Sequence, residues 1–411
     1  MRLTSRCADR RLQEHLELLP LTGSIRNTGA FLVRAPLRVC PLGAHVDHQG
    51  GRVTGLAVDR EVRLAAFPRA DALLSLESLD FPGAVELDLG GPVAARDGSW
   101  GDYVRAAVSV LGVDRRLGHG LRGIVAGDLP AAGLSSSAAL LIAVVLALGR
   151  VNHLELERDE IASLVQRAEN EYVGVDSGRL DQSIILHACS GFLTHVDCSS
   201  LEVGQVAWPA MSTPPEVLVV YSGLPRSLAS SSFNTRVAEC RAAAHRLAEL
   251  AGRPADGRVV LSEVPRRLFE EFVGRLPQPL QRRAAHFFGE QDRVRKGVDA
   301  WSRGDGSEFG RLMTASGASS IENYECGTPE MVTLYELLVG SQGVLGARFS
   351  GAGFGGSCVA FVEPDTAGPI AEEVGRRYRR VHPGAAARAQ AHLCKAAGAA
   401  TVSNLDGPCR A

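Results

Sequence analysis

The feature that most constrains this chain is a run of small residues, PAAGLSSSAAL at residues 130–140, that leads into an apolar, alanine-rich segment ending near Leu148. The apolar run predicts a buried helix, and Gly133 permits a tight backbone turn just before it. A loop of small residues at a helix start leaves backbone N–H groups free, which favours phosphate binding. The serine hydroxyls could add hydrogen bonds or a ligand to Mg²⁺. Alternatively, the serines only cap a helix that binds nothing.

Composition narrows the class of protein. A chain of 411 residues with 45% hydrophobic and 22% charged residues predicts two ordinary globular domains. A net charge of −2 gives no electrostatic reason to expect nucleic acid or an anionic membrane as partner. No apolar run is long enough to cross a bilayer, and residues 1–17 lack the apolar core of a signal peptide. We therefore expect a cytoplasmic protein with small-molecule partners, a monomer or alternatively a homodimer.

The scarcity of lysine excludes two kinds of nucleotide site. The chain contains Lys296 and Lys395 and no other lysine, and neither follows a glycine-rich loop. A Walker A loop needs a lysine on the β- and γ-phosphates, and a protein kinase needs one on its third strand. A nucleotide bound at residues 130–140 therefore requires another phosphate-binding architecture.

Three further segments carry candidate functional residues. In residues 44–51, His45, Asp47 and His48 crowd one turn, which suits a metal ion, the hydroxyls of a sugar, or simply a solvated turn. Asp181 lies at a predicted loop-to-helix junction, as a helix cap or as a general base. A second glycine-rich loop at residues 351–356 favours close approach to a ligand. The polar composition of residues 316–326 predicts another loop, without indicating its purpose.

These segments, in this order, resemble the signature motifs of the GHMP small-molecule kinases, and within them the galactokinase branch. The three motifs are RVCPLGAHVDHQGG at residues 38–51, GLSSSAA at 133–139 and GARFSGAGFGG at 346–356. AENEYVG at 168–174 and LDQ at 180–182 resemble the segment that carries the catalytic aspartate. The resemblance implies an α+β fold of two domains with the active site in the cleft between them. Residues 1–205 would form a domain like domain 2 of ribosomal protein S5, and residues 206–411 a ferredoxin-like domain.

The resemblance also implies transfer of the γ-phosphoryl group of ATP to the anomeric hydroxyl of a sugar. Asp181 would accept or orient the proton of that hydroxyl, and Arg38 would stabilise the transferring charge. The residues implied to bind the sugar are Ala44, His45, Asp47, Phe233 and Arg236. Those implied to bind ATP are Trp100, Gly133, Leu134, Ser135, Ser136, Ser137, Gly353 and Gly355. Ser137 and Glu169 would hold Mg²⁺.

Two departures from galactokinases favour a sugar acid as substrate. Cys40 and Ala44 replace an Asn and a Glu of the galactokinase motif, so residues 40–51 resemble plant galacturonokinases more closely than galactokinases. Residues 319–327 and 346–354 also resemble that subfamily. In galactokinases that Glu holds the C6 hydroxyl, and it would repel the C6 carboxylate of a uronic acid. We therefore expect D-galacturonate 1-kinase activity, with Arg226, Arg236 or backbone N–H groups meeting the carboxylate.

The alternatives are a galactokinase, another 1-kinase acting on glucuronate or N-acetylgalactosamine, and a sensor that binds sugar and ATP without turnover. Phe233 stands where the related enzymes have tyrosine, and the missing hydroxyl predicts looser discrimination among sugars.

Overall fold

The computed structural model describes residues 1, 11, 12, 14, 29–129, 133–224, 230–253, 257 and 259–405. The predicted contact from Arg226 and the first three residues of the 130–140 segment lie outside the described residues.

The first sheet combines strands from the two ends of the chain. Its strands are β1 Phe31–Val39, β2 Arg52–Pro68, β3 Leu73–Ser78, β4 Ala84–Asp88, β5 Leu121–Gly127, β6 Phe192–Asp197, β7 Glu202–Ala207 and β12 Thr401–Asn404. Their order is β12-β1-β2-β5-β3-β4, and β6 pairs with β2 and β7. β3 and β5 run parallel, joined by the crossover that contains the first helix.

Helices cover this sheet and create its core. They are α1 Gly101–Leu111, α2 Ser136–Val151, α3 Arg158–Arg167 and α4 Leu180–His187. α2 packs against β1 and β2, and most of its side chains are buried because the segment is apolar on every face. The prediction of a buried helix after the serines is therefore confirmed. α3 continues into a π-helical turn, Ala168–Val173, that carries Glu169.

The second sheet is antiparallel and has the order β11-β8-β10-β9. Its strands are β8 Glu216–Tyr221, β9 Val344–Ser350, β10 Ser357–Val362 and β11 Gln390–Cys394. The helices are α5 Ser230–Leu250, α6 Arg266–Phe272, α7 Gln278–Ser302, α8 Gly306–Glu322, α9 Pro329–Val339, α10 Ala367–Val381 and α11 Pro383–Ala386. Helices separate β8 from β9 and β10 from β11, which gives the ferredoxin-like arrangement expected of this half. The predicted α+β fold is confirmed.

One detail differs from expectation, and the domain division stays a prediction. Residues 316–326 have the polar composition of a loop, but α8 runs through Glu322, because Gly310 and Gly317 let the helix pack directly on β9 and its serines bond inside the protein. The predicted domain division at residue 205 falls within β7, and β12 pairs with β1, so that division remains a prediction. Over the described residues, we find no helix with the length and apolar character needed to cross a membrane.

Candidate active site

The serine loop and the second glycine-rich loop meet at the start of α2. Ser135 precedes the helix in a left-handed conformation, with φ of 63°, and Gly133 has φ of 76°. A Cβ atom on Gly133 would lie 3.2 Å from the Cα atom of Gly356, so only glycine lets the two loops approach so closely. The start of α2 is thereby fixed against the turn that joins β9 to β10.

Arg38, Ser135 and Asp181 form a hydrogen-bonded group beside this loop. Arg38, buried on β1, donates from Nε and Nη2 to Oδ1 of Asp181 at 2.7 and 2.6 Å. The hydroxyl of Ser135 donates to Oδ2 of the same carboxylate. The backbone N–H of Arg38 donates to the carbonyl of Leu134 at 3.2 Å, which ties β1 to the loop. Asp181, in the first turn of α4, is thus a positioned carboxylate beside a helix start that favours phosphate.

Asp47 is a second carboxylate at the same place. Its Oδ2 atom accepts a hydrogen bond from the backbone N–H of Leu180 at 3.4 Å. A Cβ atom at residue 178 would lie 2.5 Å from the Asp47 carboxyl, so Gly178 is what allows this approach. Burial, and next the charge of Asp181, raises the pKa of Asp47 to about 6. Near neutral pH the Asp47 carboxylate is therefore a hydrogen-bond acceptor for hydroxyl groups, and it becomes protonated as the pH falls below about 6.

The neighbouring histidines His45 and His48 both contact Tyr324. The ring of His45, on the cleft wall, stacks on Tyr324 with centroids 4.3 Å apart, and burial keeps its pKa well below the usual range. His48 is held by Gln49, which donates to Nδ1 at 3.0 Å, and its Nε2 lies 3.0 Å from the hydroxyl of Tyr324. Burial lowers the pKa of His48 to about 3. Both histidines therefore connect residues 44–51 to Tyr324 in the second half of the chain. The metal interpretation of this segment is not supported.

Two adjoining hollows open at these residues and share Tyr103 and Ser137. The first is lined by the predicted residues Arg38, Ala44, His45, Asp47, Gly133, Ser135, Ser137, Glu169, Asp181 and Phe233. The second is lined by the predicted residues Trp100, Ser136 and Ser137. The structure therefore brings most of the predicted residues to one continuous cleft.

Four predicted residues do not line either hollow. Leu134 is fully buried in the core below its loop. Arg236 pairs with Glu239 at 3.1 Å and donates to the carbonyl of Glu325. From the second glycine-rich loop, residues 351 and 352 line the cleft, whereas a Cβ on Gly353 would meet Phe349 and Cys326. Gly355, with φ of 124°, belongs to the same turn and does not line the cleft.

Several further residues of the cleft wall were not named individually as site residues in the sequence analysis. They are Cys40, Tyr103, Val173, Val175, Ser177, Gly178, Leu180, Gly351 and Ala352. Most of them lie inside the motifs or segments named in the sequence analysis. Their position next to a predicted site residue, rather than their residue type, could therefore have identified them.

Ser137 and Glu169 have the donor chemistry that Mg²⁺ prefers. The Oε2 atom of Glu169 accepts from Ser177 Oγ and from Gln182 Nε2, each at 2.7 Å, which orients the carboxylate. Within the described part of the chain, no group of three or more His, Cys, Asp or Glu side chains could hold a metal. Mg²⁺ is commonly held by one or two carboxylates, with water and phosphate oxygens completing its shell. One carboxylate and one hydroxyl therefore fit an ion that arrives with a nucleotide.

Comparison with known proteins gives a consistent result. Residues 102–188 match the family model of the GHMP kinases N terminal domain, and residues 296–380 match that of the GHMP kinases C terminal domain. A galacturonokinase of Arabidopsis thaliana is 39% identical over 372 residues, 86% of this chain and 88% of that protein. A galactokinase of Roseiflexus sp. (strain RS-1) is 34% identical over 371 residues, 89% of this chain and 91% of that protein.

The solved structures agree in fold and in length. Lactococcus lactis galactokinase complexed with galactose matches with a TM-score of 0.84 and 30% identity over 96% of this chain and 99% of that one. With relatives this similar over most of both chains, and with the family's two halves matched in order, the chain belongs to the GHMP kinase family.

Proposed function

We propose that the protein is an ATP- and Mg²⁺-dependent 1-kinase of D-galacturonate that produces α-D-galacturonate 1-phosphate. GHMP kinases use ATP as their phosphoryl donor, and the sugar kinases among its relatives transfer phosphate to a hydroxyl. The observation that carries the proposal is the Arg38–Asp181–Ser135 group, because it places a proton acceptor and a cation beside a helix start that favours phosphate.

In the proposed reaction Asp181 accepts or orients the proton of the C1 hydroxyl as that oxygen attacks the γ-phosphorus. Arg38 donates hydrogen bonds toward the attacking and transferring oxygens, and the start of α2 binds the phosphates. Glu169 and Ser137 would hold Mg²⁺, which neutralises charge on the phosphate oxygens. The hollow beside Trp100 takes the adenine base, since it is continuous with the phosphate loop through Ser137.

The sugar binds against the wall formed by Ala44, His45 and Asp47. Asp47 accepts hydrogen bonds from ring hydroxyls, and Ala44 leaves room at C6 without an anion. A sugar carboxylate in that position meets no like charge from residue 44, whereas a glutamate there would repel it. This is the physical reason to prefer a uronic acid over a neutral hexose.

Galactose is the second candidate. Asp47 and His45 line the cleft, and the galactokinase with the same fold was solved with galactose. Phe233 also lines the cleft and has no hydroxyl with which to select among sugars.

A screen of ATP consumption separates these candidates. Purified protein is assayed with galacturonate, glucuronate, galactose and N-acetylgalactosamine, each with and without Mg²⁺, and the phosphorylated position is read by NMR. We expect a C1-phosphate of galacturonate at the highest kcat/KM. Brisk phosphorylation of galactose with no activity on galacturonate would refute the substrate and leave the kinase chemistry intact. Loss of all turnover with every sugar would favour the sensor.

A further inference from the structure

Arg348 on β9 is a fully buried guanidinium that binds only neutral oxygens at hydrogen-bonding distance in the described structure. It donates to Ser316 Oγ at 2.7 Å, to Ser320 Oγ at 3.3 Å and to the carbonyl of Phe349 at 2.9 Å. Ion pairs within 4 Å exist for many arginines of the described residues, but Arg348 has none among them. A buried charge without a nearby counter-charge is costly, so its electrostatic compensation needs an explanation.

The acid that Arg348 reaches through a bridge is Glu290 of α7, and that acid is already paired. Ser316 donates to Oε2 of Glu290 at 2.9 Å, and Arg293 donates to Oε1 at 2.6 Å. Although burial opposes ionisation, the positive charge of Arg293, with a smaller contribution from that of Arg348, lowers the pKa of Glu290. Two guanidinium groups and one carboxylate leave this cluster with one excess positive charge.

The cluster lies directly behind the sugar wall. Glu290 Oε2 also accepts the backbone N–H of Gly43 at 2.7 Å, and one turn earlier His286 Nε2 lies 3.0 Å from the carbonyl of Ala44. His286 stays neutral, since burial lowers its pKa to about 4. Three hydrogen bonds therefore connect the backbone N–H of Gly43, next to Ala44, with Arg348 through Glu290 and Ser316. The charge of Arg348 also acts at the cleft wall, because after burial it is one of the groups that lower the pKa of His45.

We infer that Arg348 is a specificity-determining residue, whose buried charge favours a sugar with an anionic group at C6 over its neutral counterpart. The inference rests on the proposed function, which places C6 against Ala44. It assigns to the second half of the chain the positive charge that the first half does not supply there. Arg38, the cation of the cleft, is instead engaged by Asp181 near the phosphate loop.

The test changes the charge of the enzyme and of the ligand separately. D-galacturonate and its uncharged C6 carboxamide are compared in the wild type, in Arg348→Gln and in the charge-retaining Arg348→Lys. Two unit charges about 8 Å apart in a medium of effective dielectric near 20 correspond to roughly a 30-fold change in affinity. We expect Arg348→Gln to raise KM for galacturonate roughly 30-fold relative to the carboxamide, with the KM for ATP unchanged and kcat within about threefold. Arg348→Lys should keep most of the discrimination.

A purely structural role gives a different pattern. If Arg348→Gln weakens both ligands equally, or leaves their ratio as in the wild type, the inference is wrong while the proposed function stands. A wild type that does not phosphorylate galacturonate overturns the proposed function and the inference together.

Circular dichroism and thermal melting show whether the Arg348 variants fold. If they do not, Arg293→Gln removes one positive charge from the more exposed side of the cluster, where the side chain is 16% exposed. Solvent screening reduces the expected effect there to roughly threefold against galacturonate alone. An equal loss for the acid and the carboxamide overturns the inference in this variant also.

Discussion

Asp181→Asn tests the chemical centre of the cleft most directly. The carboxylate of Asp181 accepts from Arg38 Nε and Nη2 at 2.7 and 2.6 Å and from the hydroxyl of Ser135. Asparagine has the same shape, its Oδ1 atom can still accept from Arg38, and the Ser135 hydroxyl can turn to accept from Nδ2. The replacement therefore removes the negative charge and the ability to take a proton, and leaves the neighbouring groups in place.

The size of the effect follows from these contacts. A positioned general base contributes about 100- to 10,000-fold to a rate, so kcat should fall within that range. Affinity for the sugar should change less than about threefold, because the amide fills the same volume. Arg38, whose side chain is 4% exposed, loses its ion partner in this variant. The Asp181 side chain is 23% exposed and the new amide still accepts a hydrogen bond from Arg38, so the free energy of unfolding should fall by only about 1–3 kcal/mol.

The assay couples ADP release to a spectroscopic signal, with sugar affinity measured separately by calorimetry and stability by urea unfolding. Asp47→Asn is the matched control, since it makes the same change in the same cleft on a carboxylate that bonds the N–H of Leu180. We expect that control to raise the sugar KM about tenfold and to change kcat little. If Asp181→Asn keeps more than about a third of the wild-type kcat, Asp181 is not the base and the reasoning fails.

Three further outcomes are expected. Ala44→Glu should lower kcat/KM for galacturonate roughly a thousandfold and improve galactose, because two carboxylates about 4 Å apart repel by about 4 kcal/mol at an effective dielectric near 20; Ala44→Gln, assayed in parallel, separates charge from size. The pKa of Asp47 is raised to about 6 from an ordinary 3.8, so between these pH values the folded state holds more protons than the unfolded state. The free energy of unfolding should therefore fall as pH rises from about 4 to 6, by less than about 3 kcal/mol because the side chain is partly exposed. Urea titrations of Asp47→Asn should lack this pH dependence. Gly133→Ala should raise the KM for ATP about tenfold and lower the free energy of unfolding by about 1–2 kcal/mol, because φ of 76° is strained for alanine and the new methyl meets Gly356; unchanged kinetics and melting would show that the two loops are not fixed by this contact.

The sequence was sufficient for the elements whose signal is local. The apolar run after the serines predicted α2, and the three motifs in order predicted which segments form the cleft. In the second glycine-rich loop, however, residues 351 and 352 line the cleft rather than Gly353 and Gly355. Gly351 and Gly353 both have positive φ, at 77° and 82°, so the direction in which the loop faces depends on its packing against Gly133 and not on residue type.

Long-range hydrogen bonds explain the other differences. The serines of residues 316–320 suggested a loop, since serine competes with helical bonds when its side chain is solvated. In α8 these hydroxyls bond instead to Arg348, Glu290 and His286, which are distant in sequence, and no local pattern encodes those partners. Arg236 was expected at the sugar for its charge alone, but Glu239, one turn later on α5, engages it.

The two halves of the chain therefore contribute different things to one reaction. Arg38, Ser135 and Asp181, which carry the proposed chemistry, all belong to the first half, and they bond to one another there. The second half adds one hydrogen bond to this group, from Arg38 Nη1 to Ser350 Oγ at 3.4 Å. The wall formed by Ala44, His45 and Asp47, which we propose faces C6 of the sugar, is instead supported from α7, α8 and β9 of the second half, through Glu290 and Arg348. Because both side chains are buried and do not line the cleft, we expect them to change which sugar is favoured without touching the reacting atoms. Replacements in this cluster should thus change the ratio of KM values between sugars, and replacements beside Asp181 should change kcat for every sugar alike.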